Sequence, residues 1–350
     1  MNLYDLGYVP WLESQLIYHA QPRLGMEALN ILAPREPYVC IGYHQDVEQE
    51  VDLAYCRGRG IPVFRREVGG GAVYLDGNQV FFQLVLHKDN PAARGGKEAF
   101  TRRLLQPVAE AYADLGVPAR YRPVNDVVTE AGRKISGTGA ADIGDFVVLV
   151  GNLIADFDYE TMSRVLKVPD EKYRDKVFKS IQENLTTLRR ETGREFGWEE
   201  MVSPLVRRFE AVLGPLTPSS LPDRLKAEAD ALAPSFLSDE WLFKRGKRLP
   251  QARDVKIADG VNVIQRMHKA PGGLLRSLAE IKDGRLRQVS LSGDFFCYPK
   301  EAVGDLERTL EDVPLERTGD VLAGFYDDRR PETPGVTVQD WLAVLGVTPR

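Results

Sequence analysis

Short β-rich runs and longer stretches of helical period share the first two thirds of the chain. Residues 38–43, 81–86, 146–150 and 153–156 are rich in β-branched and aromatic side chains and predict strands. Phe100, Leu104, Val108, Ala111 and Leu115 recur at steps of three and four, which predicts a helix over 97–115 stopped by Gly116. Pro107 inside it removes one backbone hydrogen bond. Further helices are expected over 159–166, 171–180 and 198–213. Helices and strands do not alternate strictly, so the pattern predicts an α+β fold rather than a doubly wound parallel sheet.

Later in the chain, residues 261–269, 274–282 and 286–292 read as three strands. Asp283-Gly284 joins the last two as a two-residue turn, because both positions of such a turn want positive φ. Helices over 300–310 and 336–345 complete a small α+β domain. Between the halves, residues 214–235 carry Pro215, Pro218, Pro222 and Pro234 around a short polar helix, which reads as a semi-rigid linker. The expected domains are therefore 1–235 and 236–350.

Composition narrows the class. Of 350 residues, 43% are apolar and 28% charged, which is globular rather than disordered. No apolar run approaches the ~18 residues of a membrane span. The first ten residues lack a basic region followed by an apolar core, so export is not expected. Cys40, Cys56 and Cys297 are far apart, without Cys-x-x-Cys spacing, which fits a reducing cytoplasm. Four scattered histidines exclude a His-Glu-x-x-His zinc site. A net charge of -5 argues against a bulk nucleic-acid binder.

Two stretches carry the chemistry. In the first, Arg65-Arg66-Glu67-Val68 precedes Gly69, Gly70, Gly71, Ala72, Val73 and Tyr74. Three successive glycines leave backbone N–H groups uncovered beside two fixed positive charges, a pattern suited to phosphate or carboxylate. A plain turn beside solvated arginines is the alternative for the glycines by themselves. In the second, Asn125-Asp126 precedes Gly132-Arg133-Lys134-Ile135-Ser136-Gly137-Thr138-Gly139. The P-loop pattern fails here, since Thr138 stands where its lysine belongs. What remains is Lys134 in a polar, glycine-lined turn, where an ammonium can neutralise a phosphate or carboxylate. The spacing alone equally fits a solvated hairpin lysine.

Together these stretches resemble the two signatures of the lipoate–protein ligase, octanoyltransferase and biotin ligase superfamily, and specifically its lipoate ligases. Ile41 to Asp46, Leu166 to Tyr173 and Ser290 to Phe296 extend the likeness over nearly the whole chain, the last resembling a small accessory domain. The resemblance implies a ligase-like catalytic domain in which Lys134 is catalytic. It would hold the acyl carboxylate and α-phosphate as lipoate or octanoate attacks ATP. Gly69 to Tyr74 would line the acyl and adenylate cleft, Arg66 would contact phosphate, and Asn78 would lie in the same binding set. Asn125 and Asp126 would place ATP or its Mg²⁺, and Gly137 and Thr138 would close over the phosphate. The implied acceptor is a lysine on a lipoyl-type domain, as in a 2-oxoacid dehydrogenase E2 or a glycine-cleavage H-protein; no nucleic acid or membrane partner is implied.

The chain departs from the common pattern at Val68, Leu75, the shortened Asp76-Gly77-Asn78, and Val150-Gly151-Asn152, where relatives often carry His-Gly-Thr. Cysteine separates the subfamilies. Octanoyltransferases use a cysteine downstream of the lysine motif, and here none lies between Ile135 and Phe296. The pattern therefore favours an adenylate, which needs no enzyme nucleophile. Transfer from acyl carrier protein and a non-catalytic adenylate- or lipoyl-binding role remain the alternatives. Two basic clusters, over 164–179 and 244–248, are candidates for attracting an acidic acceptor. Solvated faces are the plainer reading of the first, and the two readings are evenly matched for the second.

Overall fold

In this computed structural model, residues 1–168, 170–246, 255–258 and 261–347 are described. The chain forms two compact units. The first comprises Met1–Cys40, Val51–Val68 and Val73–Ser238. The second comprises Ile41–Glu50, Gly69–Ala72 and Asp239–Arg350, so two short segments from the first quarter of the chain pack with its end.

The strands of the first unit, in chain order, are β1 (Asn2–Val9), β2 (Ala28–Pro34), β3 (Tyr38–Ile41), β4 (Val63–Arg65), β5 (Val73–Leu75) and β6 (Gln79–His87). They continue with β7 (Ala119–Arg122), β8 (Asp126–Thr129), β9 (Lys134–Ser136), β10 (Thr138–Ile143), β11 (Phe146–Ile154) and β12 (Thr217–Pro218). Six of them make a mixed sheet in the order β10-β11-β6-β2-β1-β12. Two three-stranded sheets, β4-β3-β5 and β7-β8-β9, carry the two motifs. The α+β expectation holds.

The main sheet is covered on both faces, as its central strand shows. Successive side chains of β6 point to opposite sides. Phe82 meets Phe209 of the helix Trp198–Leu213 at 5.5 Å between ring centroids. Its neighbour Gln83 donates to the Ser14 carbonyl, in the helix Trp11–Arg23, at 2.6 Å. Burial on both sides explains why β6 reads as an apolar run interrupted by Gln83 rather than as an alternating strand. The helix Gly96–Asp114 buries Phe100, Leu104, Val108 and Ala111 as the period predicts.

Residues 214–235 depart from the linker reading. Thr217–Pro218 is an edge strand paired with β1. Pro222 caps the helix Asp223–Phe236, where its missing N–H costs nothing. Leu225, Ala229 and Phe236 are buried, and the Phe236 ring lies 4.7 Å from that of His19. The spacing of these three residues builds an apolar stripe that outweighs the prolines, and the first unit continues to Ser238. Residues 153–156 are likewise not a separate strand, since β11 runs unbroken to Ile154.

The second unit is a five-stranded antiparallel sheet, β13 (Val255–Ala258), β14 (Val261–Ala270), β15 (Gly273–Lys282), β16 (Arg285–Asp294) and β17 (Val313–Pro314), in sequence order. Asp283 and Gly284 turn between β15 and β16 at φ 52° and 71°. β15 buries alternate residues, and helices Ala302–Thr309, Thr318–Arg329 and Val338–Leu345 close that core around Trp341, Phe295 and Leu291. Among the described residues, no helix is long and apolar enough to cross a membrane.

Candidate active site

Lys134 opens β9, and the ladder with β8 decides where it points. Val128 lies opposite Lys134, with a register shift between Val127 and Val128. Asp126 is two residues before Val128 and shares its face. The Lys134 ammonium consequently meets Asp126 Oδ1 at 2.9 Å, while Arg122 Nη2 holds Oδ2 at 2.7 Å. Burial alone would raise the Asp126 carboxyl, but the Lys134 ammonium and Arg122 guanidinium outweigh it and hold the group below the usual carboxylate range. The Lys134 side chain is about one-third exposed. Its own carbonyl accepts the Thr186 N–H at 2.8 Å, which ties β9 to the segment after the helix Arg174–Asn184.

The neighbouring candidates hold this turn together. The Asn125 side chain donates to the Thr138 carbonyl at 2.7 Å, and the Thr138 hydroxyl donates back to the Asn125 carbonyl. Gly137 donates its N–H to Asn152 Oδ1 at 2.8 Å. Asn125, Asp126, Lys134, Gly137 and Thr138 thus lie around one turn. Asn78 serves a different turn: its N–H donates to Asp76 Oδ1 at 3.0 Å and its carbonyl accepts the Ala155 N–H at 3.0 Å. Burial pushes the Asp76 carboxyl up, against hydrogen bonds from Asn78 and Gln79.

In the first unit, Val73 and Tyr74 lie on β5 opposite Cys40 and Val39. Tyr74 is buried, with Phe157 edge-on at 6.5 Å. Arg66 Nη1 donates to the Cys40 carbonyl at 3.1 Å and lies 3.6 Å from its sulfur, so the guanidinium is held at β3, whose Cys40 pairs with Val73.

Gly69, Gly70, Gly71 and Ala72 fall in the second unit. Gly70 has φ 94°, and a Cβ on Gly42 would lie 1.9 Å from the Gly70 carbonyl oxygen. The Gly70 N–H donates to the Phe295 carbonyl at 3.2 Å, and a Cβ on Gly71 would meet the Asp294 carboxylate at 2.9 Å. The glycine run permits close backbone approach, and here its neighbour is the chain itself.

Val68 packs in a core cluster with Tyr18, Val85 and Val148, which accounts for an apolar residue at this position. The basic clusters are partly structural. Arg174 is buried and donates to the Ser163 and Leu166 carbonyls at 2.6 and 2.7 Å. Arg245 makes a buried two-point pair with Glu307 at 2.8 Å, and Lys244 stacks over Tyr43 and Trp241. Lys247 and Arg248 lie outside the described residues. The three cysteines are buried; burial pushes the Cys40 thiol up, that of Cys56 to about 11 and that of Cys297 to about 12.

Sequence reasoning did not pick out Gln79, Tyr112 or Asn152 as site residues. The Tyr112 hydroxyl donates to the Ile135 carbonyl at 2.5 Å and accepts the Ile154 N–H at 2.8 Å, pinning β9 to β11. The available signal was an amide side chain in a mainly apolar strand, at Gln79 and again at Asn152. Among the described residues, no group of three or more His, Cys, Asp or Glu is placed to hold a metal ion.

Residues 12–210 match the family model of the lipoyl protein ligase A/B catalytic domain. The chain is 27% identical over 340 residues to lipoate-protein ligase LplJ of Bacillus subtilis, covering 95% of each. It is 25% identical over 236 residues to octanoyltransferase LipM of Moorella thermoacetica, covering 62% of this chain and 86% of that one. A bi-partite lipoate protein ligase of Thermoplasma acidophilum, described with its E2 lipoyl domain, has a similar structure: TM-score 0.63 and 28% identity over 71% of this chain and 98% of that one.

Proposed function

The chain belongs to the lipoyl protein ligase A/B catalytic family, and from that premise we propose that it is an ATP-dependent lipoate or octanoate protein ligase. The observation that carries this reading is Lys134, held by Asp126 on the turn that bears the second signature. A carboxylate oxygen of the acyl substrate attacks the α-phosphorus of ATP, and pyrophosphate leaves. The amine of an acceptor lysine then attacks the acyl carbonyl, forming the amide and releasing AMP. The Lys134 ammonium stabilises the negative charge that builds between carboxylate and phosphate in the first step. Asp126 and Arg122 fix its position beforehand, so little reorganisation is needed as the charge develops.

Magnesium would enter with ATP, held by phosphate oxygens. Asp126 is the carboxylate nearest the lysine, but both of its oxygens already face cations. It would contact such an ion only by loosening one of these pairs. The acceptor we propose is a lipoyl-type domain, the kind of partner described with the Thermoplasma ligase. Likeness to an octanoyltransferase keeps transfer from acyl carrier protein as a second reading. Burial of all three thiols favours the adenylate route over a thioester.

Exchange of pyrophosphate into ATP tests the proposal. It should depend on lipoate or octanoate; purified protein that shows none with either acid and Mg²⁺ overturns it. Acyl transfer from octanoyl carrier protein without ATP would establish the second reading instead.

A further inference from the structure

The two signature strands are not partners in any sheet. β5, which carries Val73 and Tyr74, pairs with β3, whereas β9, which begins at Lys134, pairs with β8. A pair of buried side-chain amides runs between them. Asn152 Oδ1 accepts the Gly137 N–H at 2.8 Å, and Asn152 Nδ2 donates to Gln79 Oε1 at 2.7 Å. Gln79 Nε2 then donates to the Tyr74 carbonyl at 3.2 Å and lies 3.4 Å from Asp76 Oδ1. The Asn152 carbonyl also accepts the Ser136 hydroxyl at 2.6 Å. Gln79 is 1% and Asn152 7% exposed, so water does not compete freely for these bonds.

The relay is directional. An amide has a donor end and an acceptor end. Gly137 offers only an N–H here, so Asn152 must turn its oxygen that way and its amino group toward Gln79. Gln79 must then present its oxygen to Asn152 and its amino group to the Tyr74 carbonyl. Each amide thereby fixes the other, and a half-satisfied pair would leave a buried polar group exposed to the full desolvation cost.

We propose that Gln79 and Asn152 are positioning residues, setting the Lys134 turn against the strand that ends the glycine signature. The proposal rests on the ligase reading of Lys134. Misplacing a reacting group by about 1 Å can cost about 100-fold in rate. Asn152→Ala and Gln79→Leu should each lower kcat for lipoate-dependent pyrophosphate exchange about 10- to 100-fold, with KM for ATP and lipoate changed by less than about threefold. Because either change breaks the same relay, the double variant should be no slower than the slower single. Independently of activity, Asn152→Ala should speed hydrogen exchange at the Gly137 amide, whereas Gln79→Leu should leave that bond in place. Unchanged Gly137 protection in folded Asn152→Ala, kcat within about threefold of wild type in the folded singles, or losses that multiply in the double variant would each overturn the relay. Should Asn152→Ala fail to fold, Gln79→Leu decides through the split between kcat and KM. Absence of exchange in the unaltered protein would instead remove the ligase reading, leaving Gly137 protection to judge the relay.

Discussion

Lys134 owes its direction to its neighbours on the ladder. Replacing it by Ala should reduce adenylate formation about 100- to 1,000-fold, measured by pyrophosphate exchange. The melting temperature should change little, because Arg122 still compensates Asp126. Asp126→Asn addresses the same pair through pH. The folded-state carboxyl lies below its ordinary value, so its stabilising contribution is complete above the unfolded value of about 3.9 and is lost as pH falls through the folded value. The melting-temperature gap between wild type and Asp126→Asn should therefore be widest near neutrality and close below about pH 4. A gap independent of pH would exclude the carboxylate as its source. At this scale the sequence disclosed which residues cluster better than what each does. Asn125 and Thr138 clasp each other across 13 positions, and Asn152 reaches Gln79 across 73. Such partners are chosen by sheet topology, which local spacing does not encode.

Elements were legible where one face is apolar and the ends are punctuated. The helix Trp198–Leu213 buries Met201, Val202, Leu205 and Phe209 between Gly197 and Gly214, and its period and bounds read directly from the chain. The helix Trp11–Arg23 was not legible, because it buries Ser14, Gln15, His19 and Gln21 in a hydrogen-bonded interior and so blurs its own apolar stripe. Proline misled at 214–235 for a similar reason. Proline acts as a breaker inside elements, whereas Pro222 stands at a cap and Pro218 on an edge strand. Ala229, buried in the helix Asp223–Phe236, gives a direct check. Ala229→Asp should destabilise the first unit by about 2 kcal/mol or more in urea unfolding, through an uncompensated buried polar group. A change below about 0.5 kcal/mol would return this stretch to a linker.

Across the whole molecule, chemistry that relies on a cysteine nucleophile meets three buried thiols. Brief treatment of the folded protein with iodoacetamide should leave acyl transfer intact, and Cys56→Ala and Cys297→Ala should keep at least about half of it. Rapid inactivation with one alkylated cysteine, found by mass spectrometry, would favour a thioester enzyme. The family is visible in two signatures far apart in the chain, and the α+β class in the irregular alternation of helices and strands. The allotment of Gly69–Ala72 to the second unit is not, since nothing within the run says which distant strand will lie against it.

That allotment sets an order in time. A chain growing from its N-terminus makes Ile41–Glu50 and Gly69–Ala72 long before Asp294 and Phe295, the residues that the glycine run meets. Until Phe295 has been made, Gly70 lacks the carbonyl that takes its N–H. The signature run is thus translated well before the residues that complete its native surroundings. A chain ending at Ser238 should be cleaved by a protease of broad specificity within 41–50 or 69–72 faster than the 350-residue protein, and equal rates would show that these segments find their structure without the rest of the second unit.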